Sequence, residues 1–282
     1  MEDSMEIDAP SIRSRSKRVV GGSPVPIESF PFVVSLRAPF DGKHLCGGSI
    51  LSPFIILTAA HCLKRFRANA TTVQVGSSLV QPSNPQRFEV VEAILHENFS
   101  EVSEISHDLK NDIALLRLKL PIQIGSTDSN VTSLVALFER NETVPDDSVA
   151  TVIGWGAVEE PGENDYRPEW VIKEMPNGTW KRESLFPERL MSVEIRTVSS
   201  EKCSHGYEEA IESDRLCAYL PGKDSCDGDS GGPLMIGRKQ AGIVSGGEDC
   251  AERNSPGIYT SVAYFREWID KNVQVLLERV AV

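Results

Sequence analysis

The chain has 282 residues, of which 29 are Lys or Arg and 41 are Asp or Glu, for a net charge of −12. That length buries a large core, in one domain or in two packed lobes. The acidic balance argues against nucleic acid or an anionic membrane as the main partner and for cationic substrates, and no apolar run is long enough to span a bilayer.

Residues 1–18 open on the acidic Met1-Glu-Asp-Ser-Met-Glu, which is no secretory signal, and close on Arg-Ser-Arg15-Ser-Lys17-Arg18. They read as an exposed tail. From Val19 the pattern becomes short β runs broken by Gly, Pro and polar turns: Phe32–Leu36, Thr72–Val75, Phe88–Leu95, Ile113–Leu118, Val149–Ile153, Leu190–Ile195 and Gly242–Ser245. Many short strands with such punctuation predict an all-β fold of Greek-key sandwich or barrel type. A polar stretch around 125–147 reads as a link between two lobes. The one helix the pattern predicts is C-terminal, where Val262, Phe265, Trp268, Ile269, Val273, Leu276 and Val280 fall on one face. That stripe reads as a packing face, not a binding site.

Asn69, Asn98, Asn130, Asn141 and Asn177 each open an Asn-X-Ser/Thr acceptor with no proline between. Together with six cysteines they predict a secreted, extracellular glycoprotein, whose signal peptide is expected outside this chain. The pairing of the six cysteines is open at this point.

Three segments carry chemistry: Thr58-Ala-Ala-His61-Cys62, Asn111-Asp112-Ile-Ala-Leu-Leu116 and Asp224-Ser-Cys-Asp-Gly-Asp-Ser-Gly-Gly-Pro233. Acyl transfer needs a nucleophile, a base, a group that orients the base, and donors for the oxyanion. Ser230, set among glycines that let a substrate backbone approach, is the candidate nucleophile. His61 is the candidate base and Asp112 the group that holds its other nitrogen. The backbone N–H groups of Gly228 and Ser230 are the candidate oxyanion donors. Singly, His61 reads as a structural histidine or a metal ligand, and Asp112 as a cap. Together, in this order and with these flanks, they read as a catalytic set. The five histidines show no metal-ligand spacing.

On these residues the chain resembles the chymotrypsin-fold, trypsin-like serine proteases, from Val19 to about Gln274. The resemblance implies two packed six-stranded Greek-key β-barrels, an active site in the cleft between them and a C-terminal α-helix. It implies a propeptide at 1–18, a protease domain at 19–274 with its lobes divided near 121–147, and a C-terminal helix extension at 275–282. The implied disulfides are Cys46–Cys62, Cys203–Cys217 and Cys226–Cys250. Asp224, six positions before Ser230, lies at the base of the primary pocket in such enzymes, with Ser245, Gly247 and Gly257 also in the substrate site. A carboxylate between glycine walls favours a guanidinium or ammonium, so cleavage after Arg or Lys is expected.

Arg18-Val19-Val20-Gly21-Gly22 resembles the family's activation junction. A cut after Arg18 frees the Val19 amine to pair with Asp229, so the intact chain is expected to be an inactive zymogen. Ser35 and His44 match residues that hold this aspartate in some zymogens. Two departures stand out. Gly246 follows Ser245 where the family usually has a tryptophan shelf. Asp227, Glu248 and Asp249 add carboxylates near the pocket entrance, read either as solvated rim charges or as attraction for several basic residues. The stretch 76–86 holds no carboxylate, which speaks against the calcium loop of some trypsins. Between Gly156 and Glu188 the chain is longer than in compact trypsins. With Trp170 and Trp180 this insertion reads as an access gate, a partner site, or a segment folded back on the body. The expected partners are protein or peptide substrates with Arg or Lys at the cut bond and protein protease inhibitors. No cofactor, metal or nucleic acid is expected, and the chain reads as a monomer. The alternative from another class is a non-catalytic binding protein on the same fold.

Overall fold

The structure, a computed structural model, describes residues 21–64, 67–101, 109–127, 130–157, 172–174, 180–182, 186–207, 210–247 and 255–280. Six strands close the first barrel: β1 (Val33–Arg37), β2 (His44–Ser52), β3 (Ile55–Thr58), β4 (Thr72–Val75), β5 (Gln86–Leu95) and β6 (Ala114–Leu118). They run in the order β1-β2-β3-β6-β5-β4, with β4 back on β1. Every pairing is antiparallel. The reason is local: β3 (Ile-Ile-Leu-Thr) is buried along its length and β6 (Ala-Leu-Leu-Arg-Leu) at every position but Arg117, which suits strands covered on both faces.

Six more strands form the second barrel: β7 (Val149–Gly154), β8 (Met191–Val198), β9 (Arg215–Tyr219), β10 (Pro233–Ile236), β11 (Lys239–Gly246) and β12 (Gly257–Ser261). Their order is β8-β7-β10-β11-β12-β9, and β8 pairs β9 to close the ring. In β8 the residues Met191, Val193, Ile195 and Thr197 are buried while Glu194 and Arg196 are exposed, the period of two that a half-buried strand imposes. Short strands at Ser23–Pro24 and Ala136–Leu137 add to β8 and β11 from outside the ring. The two barrels with a C-terminal helix are the architecture expected from the resemblance.

Ile27, Val33, Val135, Ile153, Trp155, Leu190 and Met235 pack as one apolar cluster that draws on both barrels and their connection. Helix α2 (Val262–Glu278) starts at Ser261, whose side chain caps it by accepting from Tyr264 N–H. Its Val262, Phe265, Ile269 and Leu276 join the core of the first barrel, so the predicted stripe is a packing face. Helix α1 (Ser200–Tyr207) is absent from the sequence-predicted elements. Its sequence, Ser-Glu-Lys-Cys-Ser-His-Gly-Tyr, buries only Cys203 and so has no apolar stripe to read. Among the described residues no helix is long and apolar enough to cross a membrane.

Candidate active site

The barrels deliver the three chemical segments to one place. β3 ends at Thr58, and the single 3₁₀ turn that follows starts on His61. Asp112 stands just before β6, hydrogen-bonded neighbour of β3. His61 Nδ1 meets Asp112 Oδ2 at 2.7 Å, and the other carboxylate oxygen accepts the His61 backbone N–H at 2.9 Å. Ser245 Oγ donates to Asp112 Oδ2 at 2.6 Å. From the second barrel, Thr260 Oγ1 donates to the Asp112 carbonyl at 2.8 Å. Asp112 is thus buried with its carboxylate fully partnered, and His61 is left partly open.

Burial disfavours a charged His61, but the Asp112 charge and hydrogen bond outweigh it and hold the imidazole pKa above its usual value. Cys46 and Cys62 sulfurs lie beside this ring but are joined to each other, which fastens the His61 turn to β2. Ser230 sits in the turn between Asp227 and Gly231, its carbonyl accepting from Gly47 N–H of β2 at 2.7 Å. Gly231 packs against Thr58 and Ala59, the residues leading into His61. Gly228 has φ of +93°, a conformation that suits glycine. Among the described residues nothing accepts from the N–H groups of Gly228 or Ser230.

A protein-family model described as trypsin matches residues 19–269. Over 260 residues the chain is 37% identical to hypodermin-B of Hypoderma lineatum, covering 91% of this chain and 88% of that one. It is 35% identical to a vitellin-degrading protease of Bombyx mori (91% and 86% covered) and 34% identical to trypsin delta of Drosophila melanogaster (90% and 88% covered). The chain belongs to the trypsin family. It is a trypsin-like serine protease by that membership, and its remaining site residues can be set against the family pattern.

Asp224 is buried. The Ser225 backbone N–H donates to its Oδ1 at 2.8 Å, and Ser225 Oγ lies 3.2 Å from Tyr259 Oη. A Cβ placed on Gly257 would come within 2.7 Å of Asp224 Oδ1, so this position has to be glycine. Gly247 lies beside it, its own Cβ position 3.8 Å from Gly257 Cα. Sequence reasoning missed Tyr207, whose hydroxyl donates to the Pro256 carbonyl next to Gly257. It stands in the helix that had no apolar stripe. Ser225 and Tyr259 were also missed, although the polar Ser225 next to Asp224 was a usable signal.

Asp229 is fully buried. Its Oδ1 accepts Gly156 N–H at 2.8 Å and its Oδ2 accepts Cys226 N–H at 3.0 Å. A Cβ on Gly156 would run into this carboxylate. Burial pushes the carboxyl up to about 7, against the pull of the two N–H groups and with a further push from Asp227. Ser35 Oγ is 2.7 Å from His44 Nδ1, and His44 Nε2 is 2.8 Å from the Gly228 carbonyl. The histidine therefore holds the backbone beside Asp229 and not the carboxylate itself.

Cys203 pairs with Cys217 as well, and Cys226 is also disulfide-bonded. Cys250, assigned to it by resemblance, lies outside the described residues, as do Arg18, Val19, Glu248, Asp249 and Trp170. Asn69, Asn98 and Asn141 are exposed. Asn130 is in a short strand, and Asn177 lies outside the described residues.

Proposed function

We propose that the chain is a secreted endopeptidase, made as a zymogen, that cleaves after Arg or Lys through a Ser230 acyl-enzyme. The observation that carries this specificity is the buried Asp224 carboxylate, which Gly257 approaches so closely that no side chain fits between them. Ser230 Oγ attacks the scissile carbonyl carbon while His61 Nε2 takes its proton, and Asp112 stabilises the imidazolium that forms. The oxygen that turns negative is met by the N–H groups of Gly228 and Ser230. His61 then gives its proton to the leaving amine, and water repeats the sequence on the acyl-enzyme.

The zymogen reading is supported from two sides. Asp229 is a buried carboxylate whose hydrogen-bond partners among the described residues are two backbone N–H groups and no cation, and a free Val19 amine is the cation offered. Gly21, two residues past Val19, already packs against Gly222 and Lys223, next to Asp224. Disulfides and exposed acceptors at Asn69, Asn98 and Asn141 support an extracellular setting.

The test uses protein cut after Arg18, assayed on matched Arg, Lys and Phe ester and amide substrates. Arg and Lys are expected to exceed Phe by at least about a hundredfold, with Ser230→Ala inactive towards substrate and an irreversible serine-directed reagent, and Arg18→Gln latent. A Phe preference would remove the specificity reading, and full activity of Arg18→Gln the zymogen reading.

A further inference from the structure

Arg37 is buried without exposure and carries no acidic partner in hydrogen-bond contact among the described residues. Nε donates to the Gly42 carbonyl at 2.8 Å, and Nη1 donates to the Val80 carbonyl at 2.9 Å and to Ser35 Oγ at 3.1 Å. Nη2 is buried with no hydrogen-bond partner. A charge held this way is costly to bury, and a well-packed apolar side chain in its place is often as stable or more so. Stability alone therefore gives a poor account of why a guanidinium stands here.

Its direction of donation gives a better one. Ser35 and Arg37 are two apart on β1 and face the same side. A guanidinium can only donate, so Ser35 Oγ accepts from Nη1 and turns its own hydrogen to His44 Nδ1. That nitrogen is then the bare one, and Nε2 carries the proton it gives to the Gly228 carbonyl, which can only accept. The hydrogen bonds run in one sense, Arg37 to Ser35 to His44 to Gly228. An imidazolium at His44 would reverse the Ser35 contact and set a second buried positive charge across one oxygen from the first. Burial and the Arg37 charge hold His44 down to about 4. Arg37 itself, lowered by burial and by Arg87 and raised by Asp41, stands at about 10 and is charged at neutral pH. Asp229, a buried carboxyl, is next in the chain to the Gly228 whose carbonyl this ring holds.

We propose that Arg37 is a positioning residue for the protease reaction: through Ser35 and His44 it fixes the Gly228 carbonyl, and with it the Gly228 N–H. A neutral His44 prefers that carbonyl, whereas a charged one would be drawn to the Asp229 carboxylate. Arg37 thereby favours the arrangement in which Asp229 is left to its N–H donors and the freed Val19 amine, and the oxyanion donors face the cleft. This rests on reading Gly228 and Ser230 as those donors.

The experiment compares wild type, Arg37→Met, Arg37→Lys, Ser35→Ala and the Arg37→Met/Ser35→Ala pair, each cut after Arg18. Amide kinetics are followed from pH 5.5 to 8.5 by their kcat and KM, and the His44 ring by nitrogen NMR. Arg37→Met is expected to lower kcat about tenfold at the acid end, a part of what losing an oxyanion donor costs. The loss should recover towards pH 8.5 with KM little changed. In the same variant the ring should take up its second proton at a higher pH than in wild type. Arg37→Lys, which keeps a cation and a donor, should restore most of kcat. The double variant should be no worse than the poorer single one. Should Arg37→Met fail to fold, Ser35→Ala carries the same expectation on its own. A wild-type ring spectrum and pH profile in Arg37→Met, or a loss equal at every pH with a lowered Tm, would overturn the proposal. The ring spectrum needs no turnover, so an inactive wild type would defeat the protease reading while the Arg37 effect on His44 is still decided.

Discussion

At the scale of single residues, the His61–Asp112 pair sets the pH behaviour. The base must be neutral to accept the Ser230 proton, and the fold holds its pKa above 6.5, so kcat/KM should fall as pH drops through a midpoint above that value. The stability sign is opposite in sense. A histidine pKa raised by folding contributes stability that is fully present below 6.5 and is lost as pH rises through the folded value. The working enzyme therefore sits where that contribution has gone. Asp112→Asn removes the raising influence and leaves burial, so the midpoint should move below 6.5. kcat should fall about ten-thousand-fold, a magnitude known from this family's best-studied triad and carried over, not worked out from these distances. A pH–rate profile on the variant decides it, and an unmoved midpoint would sink the assignment. The motifs singled out His61, Asp112 and Ser230 because flanks and order are written into the chain, and the structure brings His61 and Asp112 together at 2.7 Å. Arg37 was not legible. In a strand any polar residue reads as outward-facing, and only the fold shows that the outer face of β1, opposite Val34 and Leu36, is covered here by the segment around Val80.

At the scale of elements, the strands were legible where apolar runs are bounded by turns, and their ends drifted where polar residues carry pairing onward. Thr72–Val75 agrees at both ends with the observed strand. The run read as Gly242–Ser245 is in fact Lys239–Gly246, because ladder hydrogen bonds extend through Lys239 and Gln240, whose side chains give no apolar signal. Leu190–Ile195 likewise runs on to Val198, since buried Thr197 is polar in sequence but inward in register. The C-terminal helix was legible from its stripe, and that stripe has a mechanical consequence. Ile269 is buried in a cluster of mostly first-barrel residues that also takes in Ala241 and Ile243 of the second barrel, so it ties the two together. Ile269→Ala should cost about 2–5 kcal/mol of stability by the removed contacts and the cavity left. Denaturant unfolding measures the loss. Amide kcat below the transition should stay within about twofold of wild type, since the side chain touches none of the reacting groups. A large kcat loss with unchanged stability would assign the helix a part in the chemistry.

At the scale of the whole molecule, the charge balance governs how substrates arrive. Residues 1–18 carry Glu2, Asp3, Glu6 and Asp8 against Arg13, Arg15, Lys17 and Arg18, so removing them leaves the acidic excess of the rest untouched. On the proposed specificity, two classes of carboxylate would act on a basic substrate. Asp224 is buried, where salt screens little. Asp227 is exposed, and pairs it forms with flanking basic residues are worth little individually and are screened over about 10 Å at 0.1 M salt. The field of the whole body adds to the second class and not to the first. A peptide with one Arg at the cut bond should therefore be nearly indifferent to salt. The same peptide with three added Lys should be cleaved faster in low salt, its advantage in kcat/KM shrinking about threefold between 0.05 and 0.5 M. Asp227→Asn should remove part of that advantage and leave the single-Arg peptide unchanged. If the ratio of the two peptides is flat across salt, the exposed carboxylates are solvated rim charges, and selection rests on the buried one alone.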